Sequence, residues 1–430
     1  MKNCVAVLLF ICFGLGTARA AVPDGVWLTL GEPAFQLMQQ INPQVQVQAS
    51  RAIESRRMPV AISEPVLVVR VSLDERNALA AAVHRELHHC GGFVAHASLA
   101  DALAWLEPSS PAITPTRPGY DIDQQVRVLP MLADVSDSRI GADIQSLSAF
   151  QNRYYNGSHG AQAADWLVAQ WQLIAAGRSD IQVNKVYRGA DAMPSVVLTI
   201  EGTDLPGQIL VLGAHLDSVN WRDAGGASQI NARAPGADDD ASGVAGLSEV
   251  LRAIVAHDFH PQRSIHLMAY SGEEVGLLGS AYLATDYANN QRDVVGVLQL
   301  DMTNYNGSDA DITLIDDYTD AQQNDFLVQL VATYLPSLLV AHSECNYACS
   351  DHASWTQHGY AASFPFEAAF GEDNPWIHST SDTWANSGSQ ALHARKFTRL
   401  ALAWLGELAQ EDPDRIFVSG FENQPMHSME

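Results

Sequence analysis

The sequence is poor in basic residues, with 24 lysines and arginines against 49 aspartates and glutamates in 430 residues. The formal net charge is −25 at pH 7 when histidine is counted as neutral. A surface with that balance repels nucleic acids and anionic membranes, so neither is expected as a partner. The acidic excess favours solubility and suits cationic ligands.

Long apolar stretches are also scarce, and the one near the start is short. The first 20 residues combine a basic residue, an apolar run too short to span a bilayer comfortably, and a small-x-small ending at Ala18 and Ala20. This pattern is typical of a secretory signal cleaved near Ala20, the alternative being a retained anchor helix. No later segment is long and apolar enough to cross a membrane. The sequence therefore predicts a protein secreted to the extracellular space or the periplasm, with no membrane contact after cleavage.

Cysteines are few, and export would remove two of the five. Cys90, Cys345 and Cys349 remain after residue 20. Cys345 and Cys349 are four positions apart, and in an oxidising compartment they are the natural disulfide. A role for them as metal ligands is the weaker alternative, because no second cysteine pair follows to complete a four-ligand site.

Several catalytic motifs are missing. There is no glycine-rich phosphate loop and no G-x-S-x-G nucleophile elbow, which argues against phosphate-loop nucleotide hydrolysis and the usual serine hydrolases. The run "HRELHH" places His84 and His88 on one helix face. In a zinc-protease helix the glutamate directly follows the first histidine, whereas Glu86 comes two positions later. We therefore expect no metal role for these histidines.

A stretch rich in proline and small polar residues, "PSSPAITPTRP" at 108–118, predicts an exposed linker. The segment before it alternates a strand, a helix, a strand and a helix, over 65–72, 73–90, 91–98 and 99–107. Residues 21–116 are thus expected to form a small α/β unit between the signal and the main domain. A pro-segment and an independent binding domain are both consistent with that position.

Residues 117–430 alternate helical segments with short apolar runs. Near-continuous apolar strands between helices are typical of an α/β fold whose mostly parallel central sheet is flanked by helices on both faces. The predicted helices cover 161–176, 241–257, 320–334 and 391–410, and the predicted strands are "SVVLTIEG", "QILVLGAHLD", "SIHLMAYSGEE", "VVGVLQLDMTNY" and "DITLIDDY".

Three of these predicted strands end in a histidine or acidic residue that could bind a metal or move a proton. His215 ends one, Glu273 and Glu274 end the next, and Asp301 ends a third. In an open α/β sheet the ligand crevice lies outside the carboxyl ends of the strands, so these side chains should converge with Asp239 of "APGADDDASG". Acids at a helix start also cap its N–H groups, which accounts for one or two members of that triplet.

Carboxylates gathered in one crevice repel one another and cannot all stay ionised without cations. Histidine combined with carboxylates, and with no cysteine nearby, favours zinc or another divalent transition metal over calcium. The second histidine is expected to be His378, from "NPWIHSTSDT". Asp217, two residues after His215, could accept the free ring N–H of that histidine and fix its tautomer.

The ordered set "GAHLDS", "APGADDDASG", "EEVGLLGS", "QLDMTNY", "YACSDHASW" and "IHSTSDT" resembles the M28 family of zinc aminopeptidases, close to the secreted bacterial leucyl aminopeptidases. The resemblance runs from about residue 120 to 410. It implies a zinc exopeptidase fold and hydrolysis of the N-terminal peptide bond by a water that two zinc ions bridge. It also implies that 21–116 is an inhibitory pro-segment, so that the chain would be a zymogen.

Carried onto this chain, the resemblance implies two Zn²⁺ ions in the catalytic domain. One would be held by His215 and Asp301, and the other by Glu274 and His378. Asp239 would bridge the two ions. The peptide bond after Asp239 would be cis, as in the family.

The resemblance also assigns roles outside the ligand set. Glu273 would be the general base that takes a proton from the water and passes it to the leaving amine. Tyr347 would donate a hydrogen bond to the developing oxyanion, although a packed aromatic beside the disulfide is an alternative for this residue.

Substrate choice is expected to depend on an apolar wall beside the metals, which suits leucine, phenylalanine or methionine at the N-terminus of a peptide. The free α-amine would lie near the metals and acidic groups. We expect a monomer that takes peptides with a free N-terminus. By resemblance the wall comprises Met302, Cys345, Cys349, Phe364, Phe366, Phe370 and Ile377.

Three rival functions use related scaffolds. A glutaminyl cyclase would be an acyltransferase with a single zinc, so metal stoichiometry and pyroglutamate formation separate it from the aminopeptidase. A catalytically inactive binding relative would be expected to lack ligands that are all present here. A carboxypeptidase would need basic residues for the substrate carboxylate, and no such cluster is evident.

Overall fold

The computed structural model describes residues 25–54, 63–87, 91–107, 114–224 and 229–411. The signal expected at 1–20, residues 108–113 of the expected linker, and Cys90 lie outside the described residues. Within the described part of the chain, no helix combines the length and apolarity that a membrane crossing needs.

The N-terminal unit is a four-stranded antiparallel sheet in the order β2-β3-β1-β4. The four elements predicted for 65–107 are all present. Two strands and a helix that precede them were not predicted, and the first of these strands is central because it pairs on both sides. The elements are β1 (Val26–Gly31), α1 (Glu32–Ile41), β2 (Val47–Glu54), β3 (Ser63–Val71), α2 (Leu73–Leu87), β4 (Phe93–His96) and α3 (Leu99–Leu106).

The second unit is built on an eight-stranded sheet in the order β11-β10-β12-β9-β7-β8-β6-β5. The predicted mostly parallel sheet is confirmed: β7, β8, β9 and β12 form its parallel centre, while β6, β10 and β11 run the other way. The strands are β5 (Ile181–Val186), β6 (Ser195–Ile200), β7 (Leu205–His215), β8 (Arg263–Tyr270), β9 (Asp293–Gln299), β10 (Ile312–Ile315), β11 (Val340–Ser343) and β12 (Ala362–Phe366).

Helices cover both faces of this sheet, as predicted. Alternate residues of a strand point to opposite faces. Val196 and Leu198 of β6 belong to the main core, while Val197 belongs to a second cluster with Tyr287 and Trp355. The helices are α4 (Gln125–Asp134), α5 (Asp137–Ser148), α6 (Ser158–Ile174), α7 (Trp221–Ala224), α8 (Ala241–Ala256), α9 (Leu278–Asn289), α10 (Ala321–Tyr334), α11 (His352–Gln357) and α12 (Leu392–Ala409).

The acidic triplet does start a helix. Asp240 is the N-cap of α8, and its Oδ1 accepts a hydrogen bond from the backbone N–H of Gly243 at 2.9 Å. A cap of this kind satisfies one of the N–H groups that a helix leaves unpaired in its first turn. One member of the triplet is thereby explained without reference to a metal.

The two units share a buried apolar cluster. Because this cluster draws side chains from both units, separating them would expose core residues to water, and the units are packed as one body. From the N-terminal unit it includes Leu28, Val83 and Phe93, and from the second unit Tyr155, Trp221, Val275 and Leu278.

Candidate metal centre

Five potential metal ligands meet at the carboxyl edge of the parallel strands. His215 is the last residue of β7, and Asp301 follows the neighbouring strand β9. Glu274 lies in a single 3-10 turn, Glu273–Val275, just after β8. Asp239 precedes α8, and His378 comes from the segment between β12 and α12. All five are buried, with at most 5% of each residue exposed.

The ligands form two groups that share one carboxylate. Nε2 of His215 lies 2.9 Å from Oδ1 of Asp239 and 3.4 Å from Oδ1 of Asp301. Nε2 of His378 lies 3.0 Å from Oδ2 of Asp239 and 2.7 Å from Oε2 of Glu274. Within each group the potential ligand atoms all lie within 4.8 Å of one another. The two oxygens of Asp239 therefore face different groups, which is the arrangement of a bridging ligand.

The charges of these groups need a cation. Burial, together with the neighbouring charge of Asp239, raises the pKa of Glu274 to about 7 even though His378 opposes the rise. Oε1 of Glu274 is buried and has no hydrogen-bond partner within the described ranges. Unpaired buried carboxylate oxygens are costly unless a cation or donor satisfies them. Imidazole nitrogen and carboxylate oxygen are ligands that zinc accepts, so the residues fit a binuclear zinc centre.

Asp217 organises the glutamate turn. Its carboxylate accepts the backbone N–H groups of Gly272, Glu273 and Glu274 at 2.8, 3.0 and 3.3 Å. Nδ1 of His215 instead donates to the backbone carbonyl of Asp217 at 3.1 Å, while the carboxylate Oδ1 is 3.6 Å from that nitrogen. The aspartate of "HLD" thus fixes the tautomer of His215 through its main-chain carbonyl, while its carboxylate holds the glutamate turn.

The bond between Asp239 and Asp240 is cis, as the family resemblance implies. Oδ2 of Asp240 accepts the backbone N–H of His215 at 3.0 Å. Asp382 accepts the backbone N–H groups of Asp238 and Asp239, each at 3.1 Å. Sequence reasoning missed Asp382, although its place four residues after His378 in "IHSTSDT" was a usable signal.

Glu273 is buried next to the ligand set and is 2% exposed. Its Oε1 accepts no hydrogen bond from any residue the structure describes. Burial raises its pKa well above the ordinary value, and the charge of Asp301 adds to this rise while His215 opposes it. A carboxylate with a raised pKa and a free oxygen is suited to accept and release a proton.

A small pocket opens beside the ligand Asp301. Of the predicted wall residues, five line the pocket, whereas Cys345 and Ile377 pack in the same apolar cluster as those five without lining it. The predicted Cys345–Cys349 disulfide is formed. Asp373 also lines the pocket and was not predicted. The lining residues are Asp301, Met302, Tyr347, Cys349, Phe364, Phe366, Phe370 and Asp373.

Tyr347 lines the pocket beside the ligand Asp301. Its ring makes an edge contact with Phe370, with 6.1 Å between ring centroids and an interplanar angle of 70°. The half-buried ring therefore shares the wall with Phe370 while belonging to the same pocket as the ligand Asp301.

His84, for which the sequence predicted no metal role, contacts one of the ligands from the N-terminal unit. Nδ1 of His84, on α2, lies 2.9 Å from Nδ1 of His378, and the ring centroids are 4.5 Å apart. His84 does not belong to either ligand group. No local signal in "HRELHH" indicates this contact, because it joins residues 294 positions apart.

Comparison with known proteins identifies the family. Residues 195–403 match the model of Peptidase family M28. A probable leucine aminopeptidase of Arthroderma otae is 36% identical over 267 residues, which cover 61% of this chain and 71% of that protein. The chain belongs to peptidase family M28. Together with the buried His/Asp/Glu groups, this membership makes the protein a metallo-aminopeptidase of the leucine aminopeptidase type.

Solved structures agree with this M28 assignment. The LapA aminopeptidase of Legionella pneumophila superposes with a TM-score of 0.75 at 27% identity, covering 90% of this chain and 99% of that one. LapB from the same organism superposes with a TM-score of 0.74 at 26% identity, covering 90% of this chain and 100% of that one. Because the second unit alone is much less than 90% of the chain, the similarity extends into the N-terminal unit.

Proposed function

We propose that this M28 protein is a di-zinc aminopeptidase that releases large hydrophobic residues, leucine above all, from peptides with a free N-terminus. One observation carries the proposal. Asp239 presents one oxygen to His215 and the other to His378, at 2.9 and 3.0 Å. A carboxylate shared in this way suits a pair of divalent ions and not a single one.

The ligands divide between two ions. His215 and Asp301 would hold one Zn²⁺, Glu274 and His378 the other, and Asp239 both. Paired zinc ions, when bound, supply a water of lowered pKa and polarise the scissile carbonyl. A glutaminyl cyclase with one zinc would leave part of this buried ligand set without a cation.

Glu273 would move the proton. Its backbone is fixed by Asp217, and its buried carboxyl group has a raised pKa. The carboxylate of Glu273 would take the proton from the attacking water and deliver it to the leaving amine. Tyr347, in the wall of the pocket, would donate a hydrogen bond to the carbonyl oxygen as negative charge develops there.

The pocket would select the N-terminal side chain. Its lining is mainly apolar, with Met302, Phe364 and Phe366 buried and Phe370 partly exposed. Burying a leucine or phenylalanine side chain there contributes about 1.5 to 3 kcal/mol. Asp373 and Asp301 bring carboxylates to the same pocket, which favours a protonated free amine over an acetylated one.

We also propose that the protein is secreted as a monomer, with the signal removed near Ala20. The first 20 residues carry the signal pattern. The Cys345–Cys349 disulfide supports export, because disulfides persist in oxidising compartments. The role of residues 21–116 as a cleaved pro-segment stays a prediction.

A panel of aminoacyl p-nitroanilides, combined with metal analysis of the purified chain, tests the proposed function. We expect two zinc ions per chain, fastest release from the leucyl substrate, loss of activity with a chelator, and no release from N-acetyl-leucyl anilide. Equal rates on the free and acetylated substrates would overturn the proposal. Cyclisation of an N-terminal glutamine by a one-zinc protein would replace it with the cyclase.

A further inference from the structure

A histidine of the N-terminal unit, His84, contacts a residue of the metal centre. His84 lies on α2 and is partly exposed, while its partner His378 is 3% exposed. Their Nδ1 atoms are at hydrogen-bond distance, 2.9 Å. His378 turns its other nitrogen, Nε2, towards Asp239 and Glu274.

This geometry fixes the direction of the hydrogen bond. If Nε2 of His378 ligates a metal through its lone pair, the ring carries its proton on Nδ1 and donates it. Nδ1 of His84 is then the acceptor, with the proton of His84 on Nε2. Metal-binding histidines almost always donate their second N–H to such a partner, which sets the ring orientation and raises ligand basicity.

A second contact braces the turn that carries Glu274. The backbone N–H of Ala95, in β4, donates to the carbonyl of Gly276 at 3.0 Å. Gly276 has φ +109°, and a Cβ at this position would lie 2.8 Å from both N and Cβ of Ala95. Glycine is therefore required for the close approach, because any side chain would push the N-terminal unit off the turn.

Both contacts concern ligands of the same group. Glu274 and His378 belong to one group with Asp239, and each is supported from the N-terminal unit. The group of His215, Asp239 and Asp301 is supported by contacts within the second unit. Ser350 donates to Oδ2 of Asp301 at 2.5 Å, and His215 donates to the main chain of Asp217.

We propose that His84 is a positioning residue that accepts the Nδ1–H of His378 and thereby tightens metal binding at the Asp239/Glu274/His378 group alone. The proposal rests on the di-zinc centre of the proposed function. The N-terminal unit then contributes to metal affinity for as long as it remains part of the protein. Removing the acceptor should weaken one metal affinity and leave the other unchanged.

The test uses the full chain and zinc alone as the probe. Zinc affinities are measured by competition with a chromophoric chelator for the parent, His84→Ala, His84→Asn and Arg85→Ala. We expect the parent to bind two zinc ions. In His84→Ala one of them should bind 10 to 100 times more weakly, the range for loss of a partner that orients a ligand. The Asn side chain presents an acceptor oxygen near the position of Nδ1 and should restore most of the affinity.

Arg85→Ala is the matched control. Arg85 is the next residue of α2, is exposed and pairs with Glu86, so its loss should change neither affinity. A double-mutant cycle with His378→Ala tests whether His84 acts through His378. Once His378 is replaced, His84→Ala should cause no further loss of zinc affinity. Metal-free thermal unfolding of each variant shows whether the fold is intact.

The outcomes separate the inference from the function on which it rests. Two zinc ions in the parent with unchanged affinities in His84→Ala would overturn the inference and leave the di-zinc proposal standing. Equal weakening of both ions, or failure of His84→Asn to restore binding, would make His84 a merely structural residue. A parent that binds fewer than two zinc ions would overturn the proposed function and the inference together.

Discussion

The carboxylate of Asp217 accepts a hydrogen bond from the backbone N–H of Glu273, with 3.0 Å between Oδ1 and N. Both residues are buried, and the same carboxylate also accepts the N–H groups of Gly272 and Glu274. An ionised carboxylate has enough lone pairs for three donors, and such charge-assisted bonds are the strong ones. The direction of the Glu273 side chain therefore depends on a residue at the end of another strand.

Replacing Asp217 by asparagine should disturb the glutamate turn. The amide has only one accepting oxygen, and its NH₂ group would face backbone N–H donors. We expect kcat on leucyl p-nitroanilide to fall at least about 10-fold, and the free energy of unfolding to fall by about 1 to 3 kcal/mol. Steady-state kinetics and urea unfolding measure both. Asp204→Asn, at an exposed position, is the control. Wild-type values for Asp217→Asn would contradict the structural role assigned to this carboxylate.

Replacing Glu273 by glutamine removes the proposed base and keeps its size. We expect kcat to fall by about 10² to 10⁴, the usual contribution of general acid-base catalysis, while the zinc content stays at the parent value. Kinetics and metal analysis on the same preparation test this. Glu201→Gln, at an exposed position, should retain full activity. A Glu273→Gln enzyme with parental kcat would rule out the assigned role.

Removing zinc should destabilise the fold. A ligand that binds only the folded state adds about 4 kcal/mol to the free energy of unfolding when its free concentration is 1,000 times Kd. Urea unfolding with zinc in that excess, and again with EDTA, gives the difference directly. Glu273→Gln should show the same difference as the parent, because Glu273 is outside both ligand groups. Coincident curves with and without chelator would argue against a metal bound in the buried site.

Truncating Phe370 should alter substrate choice. Its ring lines the pocket and contacts Tyr347. In Phe370→Ala, we expect kcat/KM for leucyl p-nitroanilide to fall about 10-fold or more, since apolar contact worth about 1.5 to 3 kcal/mol is lost. The alanyl substrate, which reaches less of the wall, should change less. Tyr187→Ala removes an exposed aromatic ring elsewhere and should leave the ratio between the two substrates as in the parent.

Acid should destabilise the fold in part through His266. Burial lowers the pKa of His266 to about 4, whereas an unfolded histidine has a pKa near 6.5. Between these values the unfolded chain binds a proton that the folded chain does not. The free energy of unfolding therefore falls as pH drops through this window, by up to about 1.4 kcal/mol per pH unit for this group.

His266→Asn should make that decline shallower. Urea unfolding at several pH values between 7 and 4 compares its slope with the parent. Nδ1 of His266 lies 2.6 Å from the hydroxyl of Tyr287, so Tyr287→Phe removes the same hydrogen bond but keeps the histidine and should keep the steep decline. Equal slopes in the parent and His266→Asn would show that this side chain does not contribute.

The sequence by itself determined the parts of the metal centre that depend on local pattern. Apolar runs ending in His215, Glu274 and Asp301 indicated buried parallel strands, and the carboxyl ends of such strands meet at one edge of a sheet. Asp239 of "APGADDDASG" and His378 of "NPWIHSTSDT" were expected at the same edge, and the family motifs then assigned each ligand to an ion. The Cys345–Cys349 disulfide was predictable because its two cysteines are only four residues apart.

Tertiary structure alone decided which neighbouring residues hydrogen-bond to each ligand and to the turn that carries Glu273 and Glu274. The side chain of Asp217 holds the glutamate turn while its main chain holds His215. His84, which the helical pattern indicated to be without a metal role, contacts a ligand 294 positions away. Periodicity and short motifs report on neighbours within a few residues. A contact between two separately built units depends instead on how their apolar surfaces pack, and no local stretch of this sequence encodes that.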